Sequence, residues 1–284
     1  MLKRCRVLGF LCAYLLVGAA ASAQQRPLLT EDPETVGSGL ILIEGGFDLQ
    51  KRVFYPVSGL TGDLLRFPTL GISFGVGSIA EVQIDGVPWQ RLTVTDRATA
   101  PLSGLLDFEG DRTTDVDDIV IGTKVRLVPE GTGRPAVALR FATKLPNAGN
   151  ESGLGTDTTD FHFGLLVGKT VQSVRFVGNA GFGILSDPIE GHEQNDVLTY
   201  GFSLARAVAE GVEIVGEING RAGFNPVDEI PPGTENRGML RFGARFTRGT
   251  VRLDGGAIIG LTSRDPSFGV TAGFTWVFRG FSIP

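Results

Sequence analysis

The feature that most constrains this chain is a two-residue alternation that recurs until close to its end. In the last such stretch Phe268, Val270, Ala272, Phe274, Trp276 and Phe278 are apolar, while Gly269, Thr271, Gly273 and Thr275 between them are small or polar. Successive side chains of a strand point to opposite faces, so this spacing gives one apolar face and one polar face, which a helix would scramble. The same period sets Val137, Leu139 and Phe141 against Ala138, Arg140 and Ala142, and Phe161, Phe163, Leu165 and Val167 against Asp160, His162 and Gly164. It continues with Leu240, Phe242, Ala244 and Phe246 against Arg241 and Arg245.

Hydrophobic residues make up 42% of the chain, with 19 Phe and 41 Gly. After residue 23 no stretch is continuously apolar for the roughly 20 residues a membrane helix needs. Apolar side chains dispersed by alternation, opposite a charged face, fit a sheet that closes on itself in a membrane. There every backbone group pairs between strands, one face meets lipid and the other lines a lumen. A soluble β-sandwich would need a second sheet to cover the Phe-rich face, and no segment is left over to supply it.

The fold class expected is therefore all-β, a transmembrane antiparallel up-and-down β-barrel. About twelve strands are expected, at 39-50, 64-74, 79-89, 118-128, 135-145, 158-171, 175-185, 197-208, 212-224, 238-248, 250-261 and 268-278. Gaps beginning at 51, 90, 146, 186, 225 and 262 are long, whereas those near 75, 129, 172, 209 and 249 are short. Bacterial barrels show this alternation of short periplasmic turns and long external loops. The first three strands are the least regular, since Pro68 interrupts one and Pro88 ends another. The connector from Gln90 to Asp117 is either an external loop or one folded into the lumen.

The first residues set the compartment. Lys3, Arg4 and Arg6 precede an apolar run from Val7 to Val17, and Ala21-Ser22-Ala23 suits signal-peptidase cleavage, so residues 1-23 read as a signal peptide and the mature chain as 24-284, with a short N-terminal periplasmic segment before the barrel. Both cysteines, Cys5 and Cys12, fall in the leader, which leaves no disulfide and no thiolate site beyond it. With 31 Asp+Glu against 26 Lys+Arg, three of those bases in the leader, the chain is acidic and nucleic acid is not an expected partner. The partners expected are outer-membrane lipids, the barrel assembly machinery and a small-molecule permeant, in a Gram-negative-type outer membrane. Oligomeric state is not legible.

Several segments resemble the outer-membrane transporter family named for the meta-cleavage pathway of phenol degradation. They are Arg26-Pro27-Leu28-Leu29-Thr30-Glu31-Asp32-Pro33-Glu34-Thr35-Val36, Glu44-Gly45-Gly46-Phe47, Asp117-Asp118-Ile119-Val120-Ile121-Gly122-Thr123-Lys124-Val125-Arg126-Leu127, Pro135-Ala136-Val137-Ala138-Leu139-Arg140-Phe141 and Thr158-Thr159-Asp160-Phe161. The turn Phe74-Gly75-Val76-Gly77-Ser78 and the tail Arg279 to Pro284 depart from the family pattern. The resemblance implies transport of small organic molecules, aromatic or apolar by the family's name, and supplies no catalytic residues and no cofactor.

The alternation assigns to the lumen Glu44, Asp48, Glu81, Lys124, Arg126, Arg140, Lys144, Asp160, His162, Arg175, Glu213, Glu217, Arg221, Arg241, Arg245, Arg252 and Asp254. These either form a selectivity lining or pair into a ladder that plugs a structural or adhesive barrel. Twelve strands about 4.8 Å apart and tilted about 40° give a radius of roughly 12 Å, which leaves a narrow passage once long side chains are subtracted. Catalysis would have to use His162 or His192, but neither is followed two residues later by Ser, as barrel lipases require, so no enzyme is expected. Glu109, Asp111, Asp115, Asp117 and Asp118 lack calcium-loop spacing and read as a solvated acidic loop, so no metal or cofactor is expected.

Overall fold

The structure is a computed structural model that describes residues 26–190, 193–224 and 231–282. The expected signal peptide and His192 lie outside the described residues. Among the described residues there are fourteen strands: β1 (Leu40–Tyr55), β2 (Leu60–Gly75), β3 (Ala80–Gly86), β4 (Gln90–Arg97), β5 (Arg112–Asp115), β6 (Val120–Val128), β7 (Ala136–Lys144), β8 (Asp160–Val171), β9 (Val174–Ser186), β10 (Gln194–Ala209), β11 (Val212–Gly223), β12 (Arg237–Arg248), β13 (Val251–Gly260) and β14 (Phe268–Arg279). All pairings are antiparallel, and β1 pairs with both β2 and β14, so the sheet closes. Among the described residues no helix is long and apolar enough to cross a membrane.

The wall has 12 strands because two of them are broken in the middle. The upper half of β2 pairs with β4 and its lower half with β3, while β5 pairs with β4 and β6 with β3. Thus β3 and β4 form one wall strand interrupted at Val87-Pro88-Trp89, and β5 and β6 form the next. The cause is local: proline donates no ladder hydrogen bond, and Pro68 of β2 stands beside the break. Between Gly46 and Asp48 of β1, one residue opposes two on β2, so the inward set of β2 changes parity from Thr69 and Gly71 to Arg66, Leu64 and Leu60.

This geometry corrects the expected boundaries at the first strands. Residues 51–55 and 60–63 are wall and not loop, leaving only Pro56 to Gly59 as the first connector. Within the segment from Gln90 to Asp117, Gln90–Arg97 and Arg112–Asp115 are also wall. The true loop, 98–111, sends Leu106 and Phe108 against a small core of Val53, Leu60, Leu64, Leu92 and Leu154, which caps the inner face at the long-loop end. The acids nearby act as clips. Asp115 accepts from Ser152 Oγ at 2.6 Å, and Asp118 accepts from the amides of Asn147 and Ala148 at 2.9 and 2.8 Å.

Elsewhere the alternation is realised strand by strand. Phe141, Phe163, Phe182, Phe202, Phe242, Phe246, Phe274 and Trp276 all face outward and are exposed. Across β7 and β8 the Phe141 and Phe163 centroids lie 5.1 Å apart, and along β14 Trp276 stacks on Phe278 at 4.3 Å. An arginine in the middle of this band should cost about 2–4 kcal/mol. Phe202→Arg is therefore expected to lower the unfolding free energy in lipid by that amount, with Phe202→Leu close to the parent, as read by denaturant titration.

Candidate functional site

The inner face carries the chemistry, and the segment that precedes β1 completes it. From Gly39, at the short-turn end, the chain turns back into the barrel, climbs along β3 and β6–β9 to Glu31, and crosses to the β14–β1–β2 wall at Arg26. Residues 26–36 thus form a belt within the ring. The reason is charge. The inward faces of β6, β7 and β9 present Lys124, Arg126, Arg140 and Arg175, and the belt brings Glu31, Asp32 and Glu34 to them.

The contacts are specific. Arg140 Nε lies 2.6 Å from Glu31 Oε2, and Lys124 Nζ lies 3.3 Å from Glu31 and 3.0 Å from Glu81. Lys124 also donates to the Asp32 carbonyl at 2.9 Å. Arg175 grips Asp32 in bidentate fashion, Nε at 2.9 Å and Nη2 at 2.7 Å, and Arg126 pairs with Glu34. On β11 the Glu217 carboxylate accepts the amides of Leu29 and Thr30 at 2.8 and 2.7 Å. Asn179 exchanges two 3.0 Å bonds with the backbone of Glu31.

At the far wall Arg26 donates to Thr69, Thr271 and the Ala272 carbonyl, and its Nε is 3.5 Å from Asp254. Small residues make room for this crossing. A β-carbon at Gly273 would stand 2.5 Å from Arg26 Nε, and one at Gly168 would stand 2.8 Å from the Pro33 ring. Inward glycines are thus part of the seat.

The remaining residues expected in the lumen are also on the inner face, in three tiers. Near the long loops Lys144 bridges Asp160 and Asp118 at 3.0 and 2.9 Å, Arg221 faces Glu235 at 3.7 Å, and His162 stands between two chambers. At mid-height Glu44 accepts from Thr275, Asp48 is level with Arg66, and Arg241 sits 3.6 Å from Glu217. Toward the short turns Glu213 lies between Arg245 and Arg252, at 3.9 and 3.6 Å. Alternation alone does not reveal Arg26, Glu31, Asp32 and Glu34, which precede the first strand, nor Arg66, which lies beyond the parity change. Gln83 and Asn179 are uncharged, so the charge pattern does not single them out. Among the described residues no cluster could hold a metal ion.

Open space lies on both sides of the belt. A chamber of about 510 Å³ is lined by Leu29, Thr30, Glu31, Arg140, His162 and Asn219, and a further 350 Å³ continues toward the loops past His162 and Arg221. On the short-turn side a vestibule of about 870 Å³ is lined by Asp32, Glu34, Arg175, Glu213, Arg245 and Arg252.

A closed 12-strand antiparallel barrel, aromatic outside and charged inside, is a transmembrane barrel of the outer-membrane class. The fold is similar to that of an outer membrane channel from Pseudomonas putida F1, with TM-score 0.64 and 11% identity over 87% of this chain and 98% of that one. It is also similar to the translocator domain of the autotransporter NalP from Neisseria meningitidis, with TM-score 0.50 and 12% identity over 85% and 89% of the two chains. No family model matches the chain, and no curated protein matches it in sequence.

Two outcomes test the belt. Hydrogen bonds to a charged acceptor are worth about 1.5–3 kcal/mol, and 1.4 kcal/mol is a factor of ten. Glu217→Ala should therefore speed amide exchange at Leu29 and Thr30 by roughly tenfold or more. Burial pushes the Glu31 carboxyl up, but Arg140 and Lys124 outweigh it and hold the group below its ordinary value of 4.5. A lowered carboxylate pKa favours the docked state above the ordinary value and loses that contribution as pH falls through the docked one. Protection of the same amides, taken relative to the intrinsic exchange rate at each pH, should thus hold at neutral pH and be lost only below pH 4.5.

Proposed function

We propose that this chain is an outer-membrane channel for small organic solutes, in which the N-terminal belt sets the bore of a charge-lined passage. The observation that carries this reading is the pair of chambers, open toward opposite ends of the barrel and separated by a segment held through polar contacts. The similarity in fold to an outer membrane channel supports the same reading. Buried ion pairs are an inefficient way to stabilise a barrel compared with apolar packing, so a lumen built from them fits selection for passage better than selection for stability. Export by residues 1-23, insertion by the barrel assembly machinery and residence in the outer membrane belong to this proposal. So does the absence of catalysis, since His162 is followed at the second position by Gly164.

The selectivity lining in this reading comprises Arg140, Arg175, Arg241, Arg245 and Arg252 with Glu213 and Glu217. The competing reading, a plugged structural or adhesive barrel, is favoured by one fact, that the belt spans the lumen. The two part in a planar bilayer. The chain from Gln24 should give discrete single-channel steps, and Arg241→Ala combined with Arg245→Ala should change their size and the ion selectivity. Silence from a barrel shown to be folded by its heat-modifiable gel mobility would favour the plug.

A further inference from the structure

We propose that the strip formed by Lys124, Arg126, Arg140 and Arg175 is a binding site for carboxylate-bearing organic solutes, which the chain's own Glu31, Asp32 and Glu34 occupy as a tethered competitor. The proposal rests on the channel reading and names the solute class of the same lumen.

The strip comes from neighbouring wall strands, β6, β7 and β9, and the β8 positions between them at this level are Gly164, Leu166 and Gly168, none of them acidic. Half of the acids it meets come from the belt, Glu31, Asp32 and Glu34, and half from the barrel itself, Glu81, Asp85 and Glu130. With the belt withdrawn, Arg126 loses its ion pair with Glu34 and keeps the Ser78 carbonyl, while Arg140 keeps the Gln83 amide oxygen at 2.8 Å and, of its carboxylates, Asp85 at 3.9 Å. Lys124 retains Glu81 and Arg175 retains Glu130. Among the described residues the unmasked surface then leaves Arg126 with no carboxylate and Arg140 with one at 3.9 Å. Paired in-plane donors on arginine suit a carboxylate, and the bidentate Asp32–Arg175 contact shows the geometry in place.

The belt is also held in an exchangeable way. It joins no strand ladder. Its acidic stretch is anchored by ion pairs and by Asn179, the amides of Leu29 and Thr30 by Glu217, and Leu29 is 54% exposed. A solute carboxylate offers the strip the same chemistry that the belt does. Access exists from both sides, since Glu31 and Arg140 line the 510 Å³ chamber and Asp32, Glu34 and Arg175 line the 870 Å³ vestibule. A tethered group competes at an effective concentration on the order of millimolar, so the strip should respond to solutes supplied at that level and stay covered below it.

A cysteine pair reads belt occupancy without requiring conduction. An ideal β-carbon at Gly201 lies 3.5 Å from Thr30 Cβ, within the roughly 3.5–4.5 Å that a disulfide spans. Both native cysteines precede Gln24, so Thr30→Cys with Gly201→Cys in the chain from Gln24 carries no other thiol. The reconstituted barrel is oxidised in potassium benzoate, in potassium chloride at equal ionic strength and in chloride with added neutral benzamide. Benzoate should slow disulfide formation several-fold relative to both controls. The same comparison with Arg140→Gln and Arg175→Gln should abolish the benzoate effect. Equal rates in benzoate and chloride overturn the proposal, as does a benzoate effect that survives both substitutions. The channel reading is judged separately by bilayer conductance of the same protein, reduced against oxidised: steps present with no benzoate effect on cross-linking sink the carboxylate site alone, whereas silence in both states sinks the channel.

Discussion

The closure of β1 on both β2 and β14 is the constraint from which the rest follows. In hydrocarbon each unpaired backbone group costs several kcal/mol, so a sheet that crosses a membrane must have no free edge. Once closed, it divides every strand into an outer and an inner set of side chains. The outer set here is phenylalanine, leucine and isoleucine. The inner set is free to be charged, but charges in a confined lumen need partners. Part of that need is met across strands, as in Lys124 with Glu81 and Arg241 with Glu217. The cationic excess on β6, β7 and β9 is met by the belt.

This explains why the segments quoted for the family resemblance, scattered through the chain, meet in space. The stretch from Arg26 to Val36 is the belt; the segments holding Lys124, Arg126 and Arg140 supply its docking cations, and the one holding Glu44 lies on the wall that receives Arg26. These four build one interface inside the barrel, while Thr158 to Phe161 sets Asp160 against Lys144 near the long loops. The belt in turn makes two vestibules out of one lumen, so the width of the lumen is set by a peptide and not by the wall alone.

What was legible in the sequence follows the range of the forces involved. Alternation is a local signal, so the faces of β7 to β14 could be read from residues two apart, and the inner placement of Arg140, Glu217 or Arg245 needed no tertiary information. The signal failed where parity changes, at Pro68 and Pro88, because a single inserted residue moves every later side chain to the other face; Arg66 and the wall segment Gln90–Arg97 were lost there. The belt was illegible for another reason. It has no period, and its partners are distant in sequence, Arg26 pairing with Asp254 and Thr30 with Glu217. The one hint was the acidic run Glu31, Asp32 and Glu34 set ahead of an inner face rich in unmatched bases.

The most direct test of the account is the position of the belt in the membrane-embedded protein. Spin labels at Leu29→Cys and Met239→Cys, two positions that line the same chamber, report it by pulsed dipolar spectroscopy in lipid. The account predicts a single short and narrow distance distribution at neutral pH. A broad distribution extending beyond the barrel's own dimensions would place the segment outside the lumen and contradict it.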